Sequence, residues 1–372
     1  MVGSGTVVGS DPVTLAALIT PANSTAQVFA SSSYYGFNWT PYGQPQVVPF
    51  FLGPQGIVRA VDSSSADPRG VVVLASGWGA GQTGTALAIM AAKHDPATSN
   101  VKLVVLDNNT NRAGGGFWTT YWMFAPLLLT SAVPTPSDTS VSVIDAAYEY
   151  NINSDAPTYP IDLLADVNSL VAYVYDYGGQ ATAPMPQDLL EDPPQAGDPH
   201  YHYVVAPDGT VVEQYPVSSN ITYVTFQSNG LPLVRPLRML PGGNVVADAV
   251  EPVLTLLVNW GYQDNSPIPQ DPGVTRPVGL LPSVSQDRAL AKQLPGAVTQ
   301  GVHAAQADLS ARKSVMTSPL SGRNKVSPGS LGDKASGGSP SGLGGAVSSL
   351  SGGAPKNTTK TAGSSISAKP SR

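Results

Sequence analysis

The sequence predicts an α/β fold, a mostly parallel central sheet with flanking helices, on three observations. Val71 to Ala75 is a continuous apolar run of strand length. A Gly-rich turn and a helix-forming stretch, Thr83 to His94, come directly after it. A second apolar run, Val101 to Leu106, follows and ends at Asp107-Asn108-Asn109. Strand, helix, strand is the parallel crossover unit, and loops at the carboxyl ends of such strands are where these sheets place ligands.

The remaining elements follow in order. An extended segment is expected near Val141 to Tyr150 and a helix from about Leu163 to Tyr175. Tyr201 to Val205 and Thr210 to Tyr215 alternate around Asp208-Gly209, a turn dipeptide suited to positive φ, and predict a β-hairpin insertion. A helix from Val246 to Trp260 closes the body with Gly261 at its C-cap. Tyr262 is the last aromatic residue, so core burial is expected to end near it. Ser283 to Met316 is helix-forming but interrupted by Pro295-Gly296, which predicts two short amphipathic segments. From Thr317 onward Gly, Ser, Pro and Lys dominate, the composition of a disordered tail.

Composition narrows the chemistry. Hydrophobic residues make up 41% of the 372, enough for a sizeable core, while 38 Gly and 35 Pro call for many turns. There is no cysteine, which excludes disulfides, zinc-thiolate sites and thiol nucleophiles. His200 and His202 are the only histidines close in sequence; on a strand they share one face, which more often marks an ordinary strand face than a metal site. No metal and no cofactor is expected. Residues 317–372 hold seven Lys and Arg against one Asp, +6, leaving −12 for the rest of a chain of net charge −6. Such a tail suits a solvated tether better than a nucleic-acid contact. The start of the sequence shows no Sec signal pattern and no run of 18 apolar residues occurs, so a cytoplasmic or virion-associated protein is expected.

The turn after the first strand carries the functional question. An α/β-hydrolase places its nucleophile in the pentapeptide G-x-S-x-G, on a strained strand-to-helix turn that requires small neighbours. Gly77-Trp78-Gly79-Ala80-Gly81 has both outer glycines, with Gly79 in the serine's place. The same loop contains the literal G-x-G-x-x-G of Gly79 to Gly84, with Asp107 about 23 residues beyond, which keeps a dinucleotide-binding reading open. It lacks the G-K-[ST] ending of a P-loop.

Further blocks distinguish these readings. Leu103 to Phe117, "LVVLDNNTNRAGGGF", is similar to the segment of mycobacterial PE-PPE domains where a strand enters an Arg-Pro-Asn-Gly-Gly loop; Arg112, Gly115 and Gly116 match, and Ala113 replaces proline. Tyr150 to Gly179 resembles the family's Y-D-x-x-x-D-x-P-x-x-P block, with Tyr150, Asp155, Pro157, Pro160, Asp166 and Asn168 in register. "LPLVRPLR", Leu231 to Arg238, and "EPVLTLLVNWGY", Glu251 to Tyr262, resemble its closing motif and terminal helix. The resemblance implies an α/β-hydrolase-like domain over 66–265, after an N-terminal extension over 1–65 that is partly β and poorly matched. A linker with short helices over 266–316 and the tail over 317–372 complete the expected division.

The resemblance also locates the family's catalytic positions. Gly79, Asn151 and Tyr177 stand at the serine, first aspartate and histidine positions, so no triad is intact; Ser76 and Asp155 are the possible remnants. Trp78, Ala80, Asn108, Arg112 and Trp118 are the pocket candidates, and Trp118, Tyr121 and Trp122 are either an aromatic lid or core. Glycine offers no nucleophilic atom and tyrosine is a poor base at neutral pH. The leading expectation is a catalytically degenerate domain that binds a lipid, glycolipid or glycan of the mycobacterial envelope, or other virion proteins if the chain is a mycobacteriophage component. The alternatives are an active serine esterase or acyltransferase using non-standard residues, and a nucleotide-binding module built on the glycine loop.

Overall fold

A computed structural model describes residues 5–8, 33–38, 46–48, 50–128, 130–176, 183, 185–195 and 197–317. The tail expected from 317 onward and the Tyr177 position lie outside these residues, apart from Thr317. The described chain contains β1 (Gly5–Val8), β2 (Gln46–Val48) and helix α1 (Gly53–Ser64), then β3 (Val71–Ser76), α2 (Gly77–Ala92) and β4 (Val101–Asp107). It continues with β5 (Val143–Tyr148), α3 (Leu163–Asp176), β6 (Tyr201–Val205), β7 (Val211–Pro216), β8 (Thr222–Phe226), α4 (Gly243–Trp260) and α5 (Val284–Thr317).

The eight strands form one sheet in the order β2-β1-β3-β4-β5-β8-β6-β7. Every neighbouring pair is parallel except β6 with the edge strand β7. The hairpin is therefore part of the main sheet, with β6 parallel to β8, where an insertion was expected. The apolar runs are explained by burial on both faces. Val71, Val73, Ala75, Val104 and Leu106 face the core under α1 and α2, while Val72, Leu74, Leu103 and Val105 face Tyr35, Met185 and Leu189 on the other side.

Two helices depart from expectation. The helix after β3 begins at Gly77, six residues before Thr83, so no free loop separates strand from helix. Residues 284–317 form a single helix in place of two short segments and a linker; Pro295 is accommodated inside it. Contact with α4 supplies what local propensity lacks: Gly301 lies against the Ala249 carbonyl so closely that a Cβ would overlap it. The body therefore continues past Tyr262. Gly261 caps α4 with an ordinary right-handed φ of −71°. Here glycine is needed for space, because a Cβ would overlap Ala165 of α3. No helix among the described residues is long and apolar enough to cross a membrane.

Candidate active site

The strained residue of the strand-to-helix turn is Gly77, at φ +55° and immediately after the last residue of β3. The left-handed residue thus lies two positions before Gly79. Gly79 lies in the first turn of α2, and the small residues flanking the bend are Ala75 and Gly79. No side chain projects from the residue at the elbow, since that residue is again glycine.

Around the bend the polar groups satisfy one another. Asp107, at the end of β4 and beside Ser76 in the ladder, accepts from Ser76 Oγ at 2.8 Å, from Asn108 Nδ2 at 2.7 Å and from the Tyr35 hydroxyl. Tyr35 comes from a short hairpin, Ser33–Tyr34 and Phe37–Asn38, and stacks on Phe226 at 5.5 Å between ring centroids. Tyr35, Ser76 and Asp107 are all buried. The Ser76 hydroxyl thus donates to a buried carboxylate, and no described histidine bonds it. Tyr35 had no catalytic or pocket signature in the sequence; the Tyr-Gly turn at Tyr35-Gly36 was its only local mark.

The glycines beyond the bend are explained by close packing. A Cβ on Gly81 would overlap Asn111 and Thr110, and one on Gly84 would press on Thr135. Thr110 also donates, through its backbone N–H, to the Gly77 carbonyl at 3.4 Å. The first turn of α2 is thereby sealed by the segment after β4, and Asp107, the acid a dinucleotide site would require, is engaged by three donors.

The other sequence candidates fall into buried scaffolding. Arg112 is 1% exposed and donates to Asp145 Oδ1 at 2.9 Å and to Thr225 Oγ1 at 3.0 Å, with its guanidinium 5.0 Å from the Tyr223 ring centroid. It forms a core ion pair with Asp145. Asn108, at φ +46°, accepts from Tyr148 N and Ser154 Oγ and so ties the β4 loop to the turn after β5. Ala80 is buried in α2. Trp118 is 4% exposed and packs on Trp78, whose Nε1 donates to Thr130 Oγ1 at 3.0 Å. Tyr121 is buried beside them, and of the three aromatic residues only Trp122, 56% exposed, reaches the surface.

Asn151 and Asp155 build the turn after β5. Asn151 is buried and accepts from Asn153 N through Oδ1, and its carbonyl accepts from Ser154 N and Asp155 N. Asp155 Oδ2 accepts from Tyr150 N at 2.7 Å, and burial holds its carboxyl well above the usual carboxylate range. The loops connect these groups to the bend: Asn108 bonds Ser154, and two residues on Thr110 bonds Gly77. His200 and His202 are buried against β8, each with a ring nitrogen near a threonine hydroxyl, Thr222 and Thr225. Burial lowers the His202 imidazole to about 3, which keeps it neutral.

A parallel sheet whose central strand turns through a left-handed residue straight into a helix defines an α/β-hydrolase-like domain. The particular family is shown by comparison: residues 58–263 match the PE-PPE domain, more than half of the chain, and the chain belongs to that family. Its relatives in Mycobacterium tuberculosis include the uncharacterized PPE family protein PPE42, 32% identical over 55% of this chain and 31% of that protein. Esterase PE16 is 25% identical over 64% of this chain and 46% of its own length. SL1278 acyltransferase Chp1 is 30% identical over 35% and 29%. The chain thus spans less than half of each of these proteins. No solved structure gives a significant match.

Proposed function

We propose that this chain is a PE-PPE domain that has given up ester cleavage and acts by binding. The observation that carries the reading is the bend itself. The residue at φ +55° between β3 and α2 is Gly77, and the adjacent hydroxyl, Ser76, is buried and bonded to Asp107. Covalent acyl transfer in this fold needs a nucleophile on the bend with a histidine in hydrogen-bonding reach; glycine stands on the bend, and no described histidine bonds Ser76, whose hydroxyl donates to Asp107. Two relatives are named for ester and acyl chemistry, which makes an acyl or lipid ester the ligand class to test first.

The test is labelling of the purified protein with a fluorophosphonate probe, beside hydrolysis of short- and medium-chain p-nitrophenyl esters. An active esterase of the family serves as the positive control. Neither labelling nor turnover above buffer is expected. Mass-spectrometric detection of the probe on any single serine would overturn the reading and restore the active-esterase alternative.

A further inference from the structure

A cavity of about 710 Å³ opens along the carboxyl edge of the sheet, beside the ends of β5 and β8. It lies within the range of small-molecule sites, about 300–1,000 Å³. Glu149 and Gln227, the residues following β5 and β8, line it together with Glu213 and Tyr215 of β7. The rest of the lining includes Gln263, Asp264 and Arg276 from the segment after α4.

The lining chemistry is specific. Four carboxylates, Glu149, Glu213, Asp264 and Asp271, share the cavity with one guanidinium, Arg276. Arg276 is partly buried and, among the described residues, donates one hydrogen bond, Nη1 to the Ser266 carbonyl at 3.1 Å, with the Asp155 and Asp264 carboxylates acting on its charge. A guanidinium carries five N–H donors, so most of them are open to solvent or a guest. Glu149 accepts from Ser228 N at 2.9 Å, and burial raises its carboxyl to about 7, so near neutrality it can donate as well as accept. Gln227, Gln263 and Gln270 add amides that do both.

These groups discriminate among guests. An anion would meet the single guanidinium but also four carboxylates. Glu149, Glu213 and Asp271 already accept from Ser228 N, the Tyr215 hydroxyl and Ser218, and an acyl chain would desolvate the acceptor sites and amides that remain. No group of three His, Asp or Glu among the described residues is placed to hold a metal ion. A neutral polyhydroxylated molecule satisfies both signs, because each hydroxyl donates one hydrogen bond and accepts others. A tyrosine ring in the wall adds an amphipathic surface of the kind that packs on a sugar face.

We infer that this cavity is a binding site for a neutral carbohydrate, formed by Glu149, Glu213, Tyr215, Gln227 and Arg276 at the sheet's carboxyl edge. The site is independent of the Gly77 bend and stands whether or not the domain cleaves esters. Saturation-transfer NMR and calorimetry on the full chain would test it with a panel of neutral hexoses and disaccharides. Inorganic phosphate, choline and octanoate are the comparison probes. At least one saccharide is expected to bind with a Kd of about 1 mM or tighter. Affinity is expected to fall at least about fivefold, roughly 1 kcal/mol, in Tyr215→Ala and in Glu213→Gln. Both positions are on the edge strand, where side-chain removal leaves the core untouched, and circular dichroism reports whether each variant is folded. Arg276→Gln should act in the same direction. Absence of saccharide binding, a response to phosphate, choline or octanoate alone, or undiminished binding in both edge-strand variants would overturn the proposal.

Discussion

Gly77 has a φ of +55°, where a side chain costs about 1–2 kcal/mol. Gly77→Ala should lower stability by about that amount in urea unfolding, and Gly77→Ser by a similar amount. Gly77→Ser alone should gain no fluorophosphonate labelling, because a hydroxyl without a base is not activated. The Arg112–Asp145 pair is a different kind of constraint, since both partners are 1% exposed. Arg112→Met strands a buried carboxylate and should cost about 3–5 kcal/mol, whereas the double variant Arg112→Met with Asp145→Leu should recover much of that loss. Glu149 makes stability depend on pH. Its carboxyl titrates at about 7 in the folded protein against 4.5 ordinarily, so between those values the folded state holds more protons than the unfolded one. Stability contributed in this way is present below about pH 4.5 and is lost as pH rises through about 7. Asp166, raised to about 6, acts with the same sign, so Glu149→Gln should flatten the decline without abolishing it, as read from unfolding free energy across pH 4 to 8.

At the scale of elements, α2 shows how packing overrides propensity. Three glycines after the bend, Gly79, Gly81 and Gly84, each cost the helix about 1 kcal/mol relative to alanine, yet the helix runs through all of them. The compensation is the segment after β4, which approaches so closely that Gly81 and Gly84 have no room for a Cβ. Gly81→Ala should therefore destabilise by about 1–3 kcal/mol, although alanine is the better helix former. Sequence reading delayed this helix to Thr83 because glycines signal turns, and only the neighbouring loop reverses that signal. The opposite holds for β3 and β4, where four- and five-residue apolar runs with turn residues at their ends made both strands legible. The interruption at Pro295-Gly296 misled for a similar reason: one missing N–H is a local defect, and the α4 contact along α5 outweighs it. Gly301→Val would overlap the Ala249 carbonyl, and faster hydrogen exchange across α5 is the expected result.

For the molecule as a whole, the family match ends at residue 263, but the packed body continues through α5. A chain ending at residue 265 would uncover the α4 face that α5 covers, and should bind a hydrophobic dye and unfold at lower temperature than a chain ending at residue 317. The candidate site was legible in part. Family blocks located the turn after β3, the loop after β4 and the turn after β5, because each carries residue types tied to backbone geometry. The register at the bend was missed by two residues, since alternate glycines at 77, 79 and 81 satisfy the same pentapeptide and only the dihedral angle separates them. Tyr35 and the cavity bounded by Glu149 and Arg276 were not legible, because their partners lie 72 and 127 residues away along the chain. The sequence by itself determined the parallel α/β architecture, the family and the lack of a thiol, all of which follow from local pattern and composition. Tertiary structure alone decided which glycine is strained, which polar groups are consumed by one another and which remain open to a guest, because burial and hydrogen-bond partnership are set by segments distant in the chain.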